Sequence, residues 1–248
     1  MKIAVCVSHV PDTASKIKIN SDGKSIDPTG VTFVVNPYDE YAIEEAIRTK
    51  EKLGGEIFAI SVGGEANKET LRKALAMGID NGILLKDEND RDSFAVAKAL
   101  AEQIKSLGCE IVFFGKQSVD YDNSITGQLT AEMLGYSCIT TVVDLKFDNQ
   151  KVIAEREIEG GREVVESELP IIITAQKGLN DPRYASLKGI MAAKKKVIEE
   201  KPAFPVENIT EVIKMYNPPA KNPGKILGTD SSAVPELVRL LREEAKVV

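Results

Sequence analysis

The sequence predicts an α/β protein built on a doubly wound, mostly parallel β-sheet. Four short apolar runs, typical of buried strands, alternate with longer segments in which apolar residues recur every three to four positions. The chain has 248 residues, of which 43% are hydrophobic, so it can fill the core of one α/β domain with appendages. This alternation indicates a Rossmann-like sheet with helices on both faces.

The elements of this sheet follow one another along the first half of the chain. The expected strands are Ile3–Val7, Ile57–Ser61, Gly82–Leu85 and Ile111–Phe114, and the expected helices are Tyr38–Leu53, Lys68–Met77 and Ser93–Leu107. Turn formers at 21–23 and 27–30 indicate a small hairpin between the first strand and the first helix.

The pattern changes beyond Val142. Apolar and polar residues alternate at 143–147, 152–154 and 164–168 around an Asp-Asn and a Gly-Gly turn, which predicts antiparallel strands at one sheet edge. Beyond Pro202, prolines are frequent and apolar periodicity returns only at Val234–Leu241. We therefore expect a nucleotide-binding domain at 1–200 and an extended C-terminal arm at 201–248 that lies on another subunit; a disordered tail is the alternative.

Composition excludes several classes of function. The formal net charge of −6 argues against a nucleic-acid-binding protein, which usually carries a basic face. Cys6, Cys109 and Cys138 lack metal-ligand spacing and are expected to be reduced thiols. The first ten residues are typical of a core strand and not of a signal peptide, and no apolar run is long enough to span a membrane. We expect a bacterial cytoplasmic protein, or a protein of the mitochondrial matrix if the source is eukaryotic.

Three loops are expected to meet at the carboxyl edge of the parallel sheet, where ligands of such sheets bind. They follow the first strand at 8–10, precede the first helix at 36–37 and follow the fourth strand at 115–128. The last of them joins a strand to a helix predicted to begin near Asn123. Asn123, Ser124, Thr126 and the amides at that helix start could hold a phosphate, although a simple polar loop is the alternative.

Nothing in the sequence indicates a catalytic set. The single histidine, His9, has no accompanying nucleophile or acid–base partners, and a structural or solvated role is expected for it. The three cysteines and one histidine would make a poor metal site. These absences favour a carrier over an enzyme, since a bound cofactor can supply chemistry that the side chains lack.

The segment from Gly178 to Lys196 is the most distinctive of the chain. Asn180, Asp181 and Pro182 predict a rigid exposed loop after the apolar Leu179. Ser186 can cap a short helix that ends in three lysines, Lys194–Lys196. An apolar anchor beside positive charge indicates a docking surface, and an ordinary surface loop is the alternative.

This segment, from Leu179 through Lys196, resembles the recognition segment of the electron transfer flavoprotein beta subunit. The resemblance continues in order along nearly the whole chain, at 35–40 (VNPYDE), 115–117 (GKQ), 155–161 (EREIEGG) and 169–174 (LPIIIT). It implies an adenine nucleotide hydrolase-like version of the predicted fold. It also implies a heterodimer with an alpha subunit that binds most of an FAD.

The resemblance further implies a nucleotide site. In the family, the matching residues surround an AMP without a redox role or, in electron-bifurcating members that use NADH, a second FAD. Bifurcating relatives tend to carry a Gly-Asp-Thr-Ala-Gln-Val-Gly-Pro pattern, whereas 121–128 of this chain is closer to the AMP-binding type, with Ser124 in place of an asparagine. The residues implied are Cys6, Asn36, Pro37, Tyr38, Asp39, Val62, Gly115, Lys116, Gln117, Ser118, Val119, Asp120, Tyr121, Asp122, Asn123, Ser124, Ile125 and Thr126.

Partner-binding residues are implied in the same way. The anchor leucine of the family's recognition segment corresponds to Leu179, which would insert into a pocket of acyl-CoA-type dehydrogenases. The FAD of the heterodimer would then carry electrons from these dehydrogenases to a membrane quinone oxidoreductase. Glu157 would influence how the flavin domain settles, while the aromatic that often lies near the flavin falls at Thr13 and is lost. A stand-alone nucleotide-binding stress-type protein remains the alternative of another class. The remaining partner-binding residues implied are Asn180, Pro182, Arg183 and Tyr184.

Overall fold

A computed structural model describes residues 1–220 and 223–248 and contains one large sheet with helices on both faces. The strands are β1 (Lys2–Cys6), β2 (His9–Pro11), β3 (Lys18–Ile19), β4 (Ile26–Asp27), β5 (Phe33–Val35), β6 (Glu56–Gly63), β7 (Asn81–Lys86), β8 (Ile111–Gly115), β9 (Ser137–Asp148), β10 (Lys151–Ile158), β11 (Gly161–Glu168), β12 (Ile171–Ala175) and β13 (Ile198–Pro202). The helices are α1 (Pro37–Leu53), α2 (Asn67–Met77), α3 (Ser93–Leu107), α4 (Thr126–Leu134), α5 (Leu187–Lys195) and α6 (Val234–Glu243).

The nine-stranded sheet has the order β11-β10-β9-β12-β8-β1-β6-β7-β13. The seven strands β9, β12, β8, β1, β6, β7 and β13, in this spatial order, pair in parallel with their neighbours. At the other end of the sheet, β10 pairs antiparallel with both β9 and β11. The predicted fold class, with its parallel sheet and antiparallel edge strands, is therefore confirmed. Each predicted strand and helix of the first half lies within two residues of its observed bounds.

Side-chain alternation along the strands creates two cores. In β1, Ile3 and Val5 face the layer formed by α1 and α2, whereas Ala4 and Cys6 face the layer formed by α3 and α4. The residues from both layers are almost completely buried. Because a fully buried aliphatic side chain contributes about 1.5–3 kcal/mol, the two layers together hold the carboxyl ends of the strands in place.

Two strands differ from the sequence-based expectation. The strand β9 begins at Ser137, five residues before the predicted change of pattern, because its first part pairs in parallel with β12. The strand β13 was not predicted, since only Ile198 of its five residues is buried and three of the others are charged, as is usual for an exposed edge strand. The sheet thus continues to Pro202, two residues past the expected boundary at 200.

The C-terminal arm crosses the body of the protein and ends in α6. Between 203 and 230, the described residues form no helix or strand. Val234, Leu237, Val238 and Leu241 lie on one side of α6, and the first three of them are exposed. The predicted hairpin consists of β3 and β4, and a second small sheet pairs β2 with β5.

Candidate functional site

A cavity of about 660 Å³ lies at the carboxyl ends of β1, β6 and β8, where a parallel sheet binds its ligands. Its lining includes thirteen of the predicted nucleotide-binding residues. These are Cys6, Asp39, Val62, Gly115, Lys116, Gln117, Ser118, Asp120, Tyr121, Asn123, Ser124, Ile125 and Thr126. The other five, Asn36, Pro37, Tyr38, Val119 and Asp122, stand behind this lining or beside it.

Asn36 and Asp39 join the start of α1 to the loop that follows β8. The Asn36 Nδ2 group donates to the Gln117 carbonyl at 2.8 Å, and its Oδ1 accepts from the Val119 amide at 3.2 Å. Asp39 accepts from the amides of Ser8 at 2.7 Å and Gly115 at 3.1 Å. These two side chains therefore fix the distances between the three loops.

The Asp39 carboxyl is buried, and this burial raises its pKa to about 7, although the Asn36, Ser8 and Gly115 donors oppose the shift. A side chain at Gly115 would collide with Tyr38 and with the Asp39 carboxylate. Only glycine permits the close approach of β8 to α1. Tyr38 also supports the loop from outside, because the Lys116 Nζ lies 5.1 Å from the centre of its ring.

The start of α4 supplies free backbone donors at the cavity wall. No side chain among the described residues caps this helix, so its first amides lack protein partners. By contrast, Asp92 caps the neighbouring α3 by accepting from the Ala95 amide at 2.8 Å. The uncapped N-terminus of α4 is therefore suited to an anionic ligand.

The predicted start of α4 near Asn123 is wrong, because the helix begins at Thr126. Asp122 and Ser124 have φ values of 52° and 53°, which lie in the left-handed region and exclude α-helix. The Ser124 hydroxyl lies 3.2 Å from Gln117 Oε1, and the Asn123 side chain donates to Ser93 at 3.0 Å. Asn123 thus joins the nucleotide loop to α3, a contact that local sequence patterns do not reveal.

The inner wall of the cavity is apolar. Cys6, Ile60, Val62, Leu100 and Phe114 line it and form a surface that suits a flat heterocyclic ring. Burial raises the pKa of the Cys6 thiol well above its ordinary value, so the thiol is not a poised nucleophile. All three cysteines are free.

Part of the cavity mouth comes from the C-terminal arm and from the β3–β4 hairpin, which the sequence did not predict. Asn208, Thr210, Glu211 and Val212 line the cavity together with Lys24. The Lys24 ammonium lies 2.7 Å from the Glu211 carboxylate, and the Met215 amide donates to the Gly23 carbonyl at 2.7 Å. Asp92 accepts from Thr210 and Ile209 as well, so the base of the arm is fixed to the start of α3.

His9 is placed as a structural residue. Its Nδ1 lies 2.8 Å from the Thr70 hydroxyl, and its ring stacks on Phe33 at 5.0 Å. Burial lowers the pKa of its imidazole. Among the described residues, no group of three or more His, Cys, Asp and Glu side chains is arranged to hold a metal ion.

The docking segment, defined as residues 175–196, is fixed to α1 at its base. Asn180 donates to the Tyr41 carbonyl and to the Glu45 carboxylate, both at 3.0 Å. Arg183 pairs with the buried Glu44 at 2.8 Å and with Glu51 at 2.7 Å. Those contacts lower the pKa of Glu44 despite its burial. The Arg183 guanidinium therefore serves as a clamp for the loop and is not free for a ligand.

The outer face of the docking segment is apolar. Tyr184 is 98% exposed and Leu187 is 85% exposed, and Met191 lies one turn further along α5. The expected cap is confirmed, since the Ser186 hydroxyl accepts from the Gly189 amide at 3.0 Å. Leu179, the predicted anchor, is half-buried and packs against the core, while Pro182 is half-buried beside the clamp.

Glu157 lies at the exposed edge of the antiparallel strands. Its carboxylate accepts from the Gln176 side chain at 2.6 Å, and its carbonyl accepts from the Thr141 hydroxyl at 2.9 Å. Thr141 has a φ of 55°, and the β9–β10 register shifts beside it. This bulge turns the strand next to the start of the docking segment.

Comparison with known proteins gives one consistent result. The family described as "Electron transfer flavoprotein domain" matches residues 24–205. The "Electron transfer flavoprotein subunit beta" of Bacillus subtilis is 40% identical over 259 aligned residues that cover 100% of each chain. A "Probable electron transfer flavoprotein subunit beta" of Saccharomyces cerevisiae is 36% identical over 98% of this chain and 96% of its own. A protein of Oryza sativa named "Electron transfer flavoprotein subunit beta, mitochondrial" is 35% identical over 100% of both.

Proposed function

The chain belongs to the electron transfer flavoprotein family as a beta subunit, and on this premise we propose that it binds AMP and frames an FAD held mostly by an alpha subunit. The complete heterodimer would carry electrons from acyl-CoA-type dehydrogenases to a membrane quinone oxidoreductase. When bound, FAD supplies the redox chemistry, and this chain positions and shields it. Within the described residues, every helix is too short or too polar to cross a membrane. We propose that the carrier works in the bacterial cytoplasm, or in the mitochondrial matrix of a eukaryote.

The observation that carries the AMP proposal is the uncapped start of α4 beside an apolar wall. The amides from Thr126 onward suit one phosphate, and the wall around Cys6 and Phe114 suits an adenine ring. The Asn36 and Asp39 contacts hold both parts of the cavity at a fixed separation. These residues could bind AMP without any group that performs chemistry on it.

The alternative is a bifurcating subunit with a second FAD in this cavity and NADH as donor. The ion pair of Lys24 and Glu211 joins the β3–β4 hairpin to the C-terminal arm at the mouth of the cavity. A dinucleotide would have to displace this contact to leave room for its second half. The geometry therefore favours a mononucleotide.

Partner recognition is proposed for the docking segment. Its base is fixed to α1, whereas Tyr184, Leu187 and Met191 present apolar side chains to solvent. A few side chains, tyrosine prominent among them, contribute most of the binding energy at protein interfaces. Leu179 remains a proposed anchor, but Leu187 offers far more surface to a dehydrogenase.

Rapid-mixing kinetics test the proposed carrier function. The purified heterodimer is mixed with an acyl-CoA dehydrogenase that its substrate has already reduced, and flavin absorbance is followed. We expect rapid reduction of the bound FAD, followed by reoxidation when the quinone oxidoreductase is added. Reduction by NADH but not by the dehydrogenase would contradict the proposal and support a bifurcating component.

A further inference from the structure

The mouth of the nucleotide cavity carries an excess of negative charge. Among the described residues, seven carboxylates line the cavity, against the basic side chains of Lys24, Arg91 and Lys116 and the imidazole of His9, whose pKa is lowered by burial. Arg91 is paired with Asp87 at 2.7 Å, and Lys24 is paired with Glu211 at 2.7 Å. The third, Lys116, lies over the Tyr38 ring. The free amides of α4, with the hydroxyls of Ser118 and Thr126, are therefore available as donors for a phosphate in the described part of the lining.

Two of these carboxylates differ from the rest. Asp39 and Asp92 are occupied by N–H donors, and Asp87, Glu88 and Glu211 are paired with basic groups. Asp90 and Asp120 are exposed and have no basic partner within 4.0 Å in the described part of the chain. In residues 1–220 and 223–248, the neighbouring Tyr121 amide is the one donor to the Asp120 carboxylate, at 2.8 Å.

Asp90 and Asp120 come from different loops that meet around Tyr121. Asp90 precedes α3, Asp120 lies in the β8–α4 loop, and the two loops are joined where Asn123 donates to Ser93. Burial, followed by the charges of Asp90 and then Asp120, raises the pKa of Tyr121. All three residues line the cavity. The Asp90 and Asp120 carboxylates, both exposed, thus lie at the mouth of the cavity.

We propose that Asp90 and Asp120 make the cavity select a nucleoside monophosphate over the corresponding di- and triphosphates. This inference rests on the proposed binding of AMP. The α4 amides satisfy one phosphate, but each added phosphate brings further negative charge toward the two carboxylates. The repulsion between two unit charges about 6 Å apart in water corresponds to about a threefold increase in Kd. Two carboxylates therefore account for about a tenfold increase in the Kd of the diphosphate.

Competition for labelled AMP tests this selectivity. The heterodimer, including its FAD, is equilibrated with radiolabelled AMP, and unlabelled AMP, ADP or ATP is added as the competitor. Wild-type protein should prefer AMP to ADP by about tenfold or more, and ATP should compete least. The D90N/D120N variant should lose about tenfold of that preference, and each single variant about threefold.

The matched control is Asp148→Asn, which removes one charge from the exposed β9–β10 turn, away from the cavity lining. It should leave the AMP-to-ADP preference unchanged. Raising the salt concentration to about 0.5 M should narrow the wild-type preference, because exposed charges are screened. FAD content and elution volume show that each variant is still assembled.

The outcomes separate the two levels of the proposal. An unchanged preference in the double variant, or equal affinity of wild type for AMP and ADP, would overturn the selectivity while leaving AMP binding intact. Failure of wild type to retain any labelled AMP, or its displacement by a second FAD, would overturn both the selectivity and the proposed AMP site.

Discussion

The nucleotide cavity and the apolar faces of α5 and α6 differ in how many of their side chains find partners within the chain. Around the cavity, Asn36, Asp39 and Asp92 each bond groups from distant parts of the chain. On α5 and α6, by contrast, apolar side chains such as Leu187 and Leu237 face solvent although each helix is regular.

The comparison separates a preorganised ligand site from surfaces that need another protein. Polar contacts within the chain hold the cavity loops, so a small ligand can bind without ordering them. The docking segment has a base fixed to α1, and both this segment and α6 have uncovered apolar faces, which are typical of protein interfaces. Substitutions at the cavity should therefore alter nucleotide binding, and substitutions on the two helices should alter association.

The largest effect is expected on α6. Leu237→Asp places a charge in the middle of the apolar side of this helix, which we propose to lie on the alpha subunit. Burying an unpaired charge there should cost about 3 kcal/mol or more and raise the Kd of the heterodimer at least about 100-fold. Titration calorimetry with the alpha subunit measures this Kd.

Arg239→Ala, on the polar side of α6, is the matched control, since Arg239 pairs with Glu236 and Glu243 of the same helix and, within the described residues, with no other carboxylate. It should change the Kd by about twofold or less. Equal Kd values for Leu237→Asp and wild type would show that α6 does not contact the partner.

The next effect concerns the base of the docking segment. Arg183→Met leaves the buried Glu44 carboxylate with Arg48 as its one basic partner among the described residues. The free energy of unfolding should fall by about 1–2 kcal/mol in denaturant titrations. Arg162→Met removes an exposed pair with Glu155 and should cost less than about 1 kcal/mol. Equal losses in the two variants would argue against a clamp.

Leu187 and Leu179 distinguish an anchor from a core residue. Leu187→Ala should raise the KM for the dehydrogenase about fivefold or more, with unchanged stability, because the side chain is exposed. Leu179→Ala should lower the free energy of unfolding by about 1–2 kcal/mol, since this side chain packs against the core. A KM increase confined to Leu179→Ala would restore Leu179 as the anchor.

The smallest effect is expected where the arm joins the body. Asp92→Ala removes the cap of α3 and the acceptor for Thr210, at a cost of about 1 kcal/mol. Trypsin should then cleave faster at Lys214, because the base of the arm is released. Asp230→Ala, which affects only the short turn before α6, should leave this rate unchanged. Unaltered cleavage of Asp92→Ala would show that the arm is held by other contacts.

Local periodicity predicted the parallel core because strands such as β1 and β8 are buried on both faces and read as continuous apolar runs. It could not predict β13, which buries only Ile198, or the start of α4, which depends on left-handed backbone at Asp122 and Ser124. The resemblance supplied Asn36 and Asp39. Lys24, Asp90 and Thr210 were missed as cavity residues because contacts between distant segments bring them to the mouth.

The most direct measurement is the nucleotide content of the heterodimer, purified after co-expression with its alpha subunit and denatured to release bound molecules. Chromatographic quantification should find one FAD and one AMP per heterodimer, with little ADP or ATP. Two FAD and no AMP would contradict the mononucleotide cavity, and the absence of any flavin would contradict the electron carrier itself.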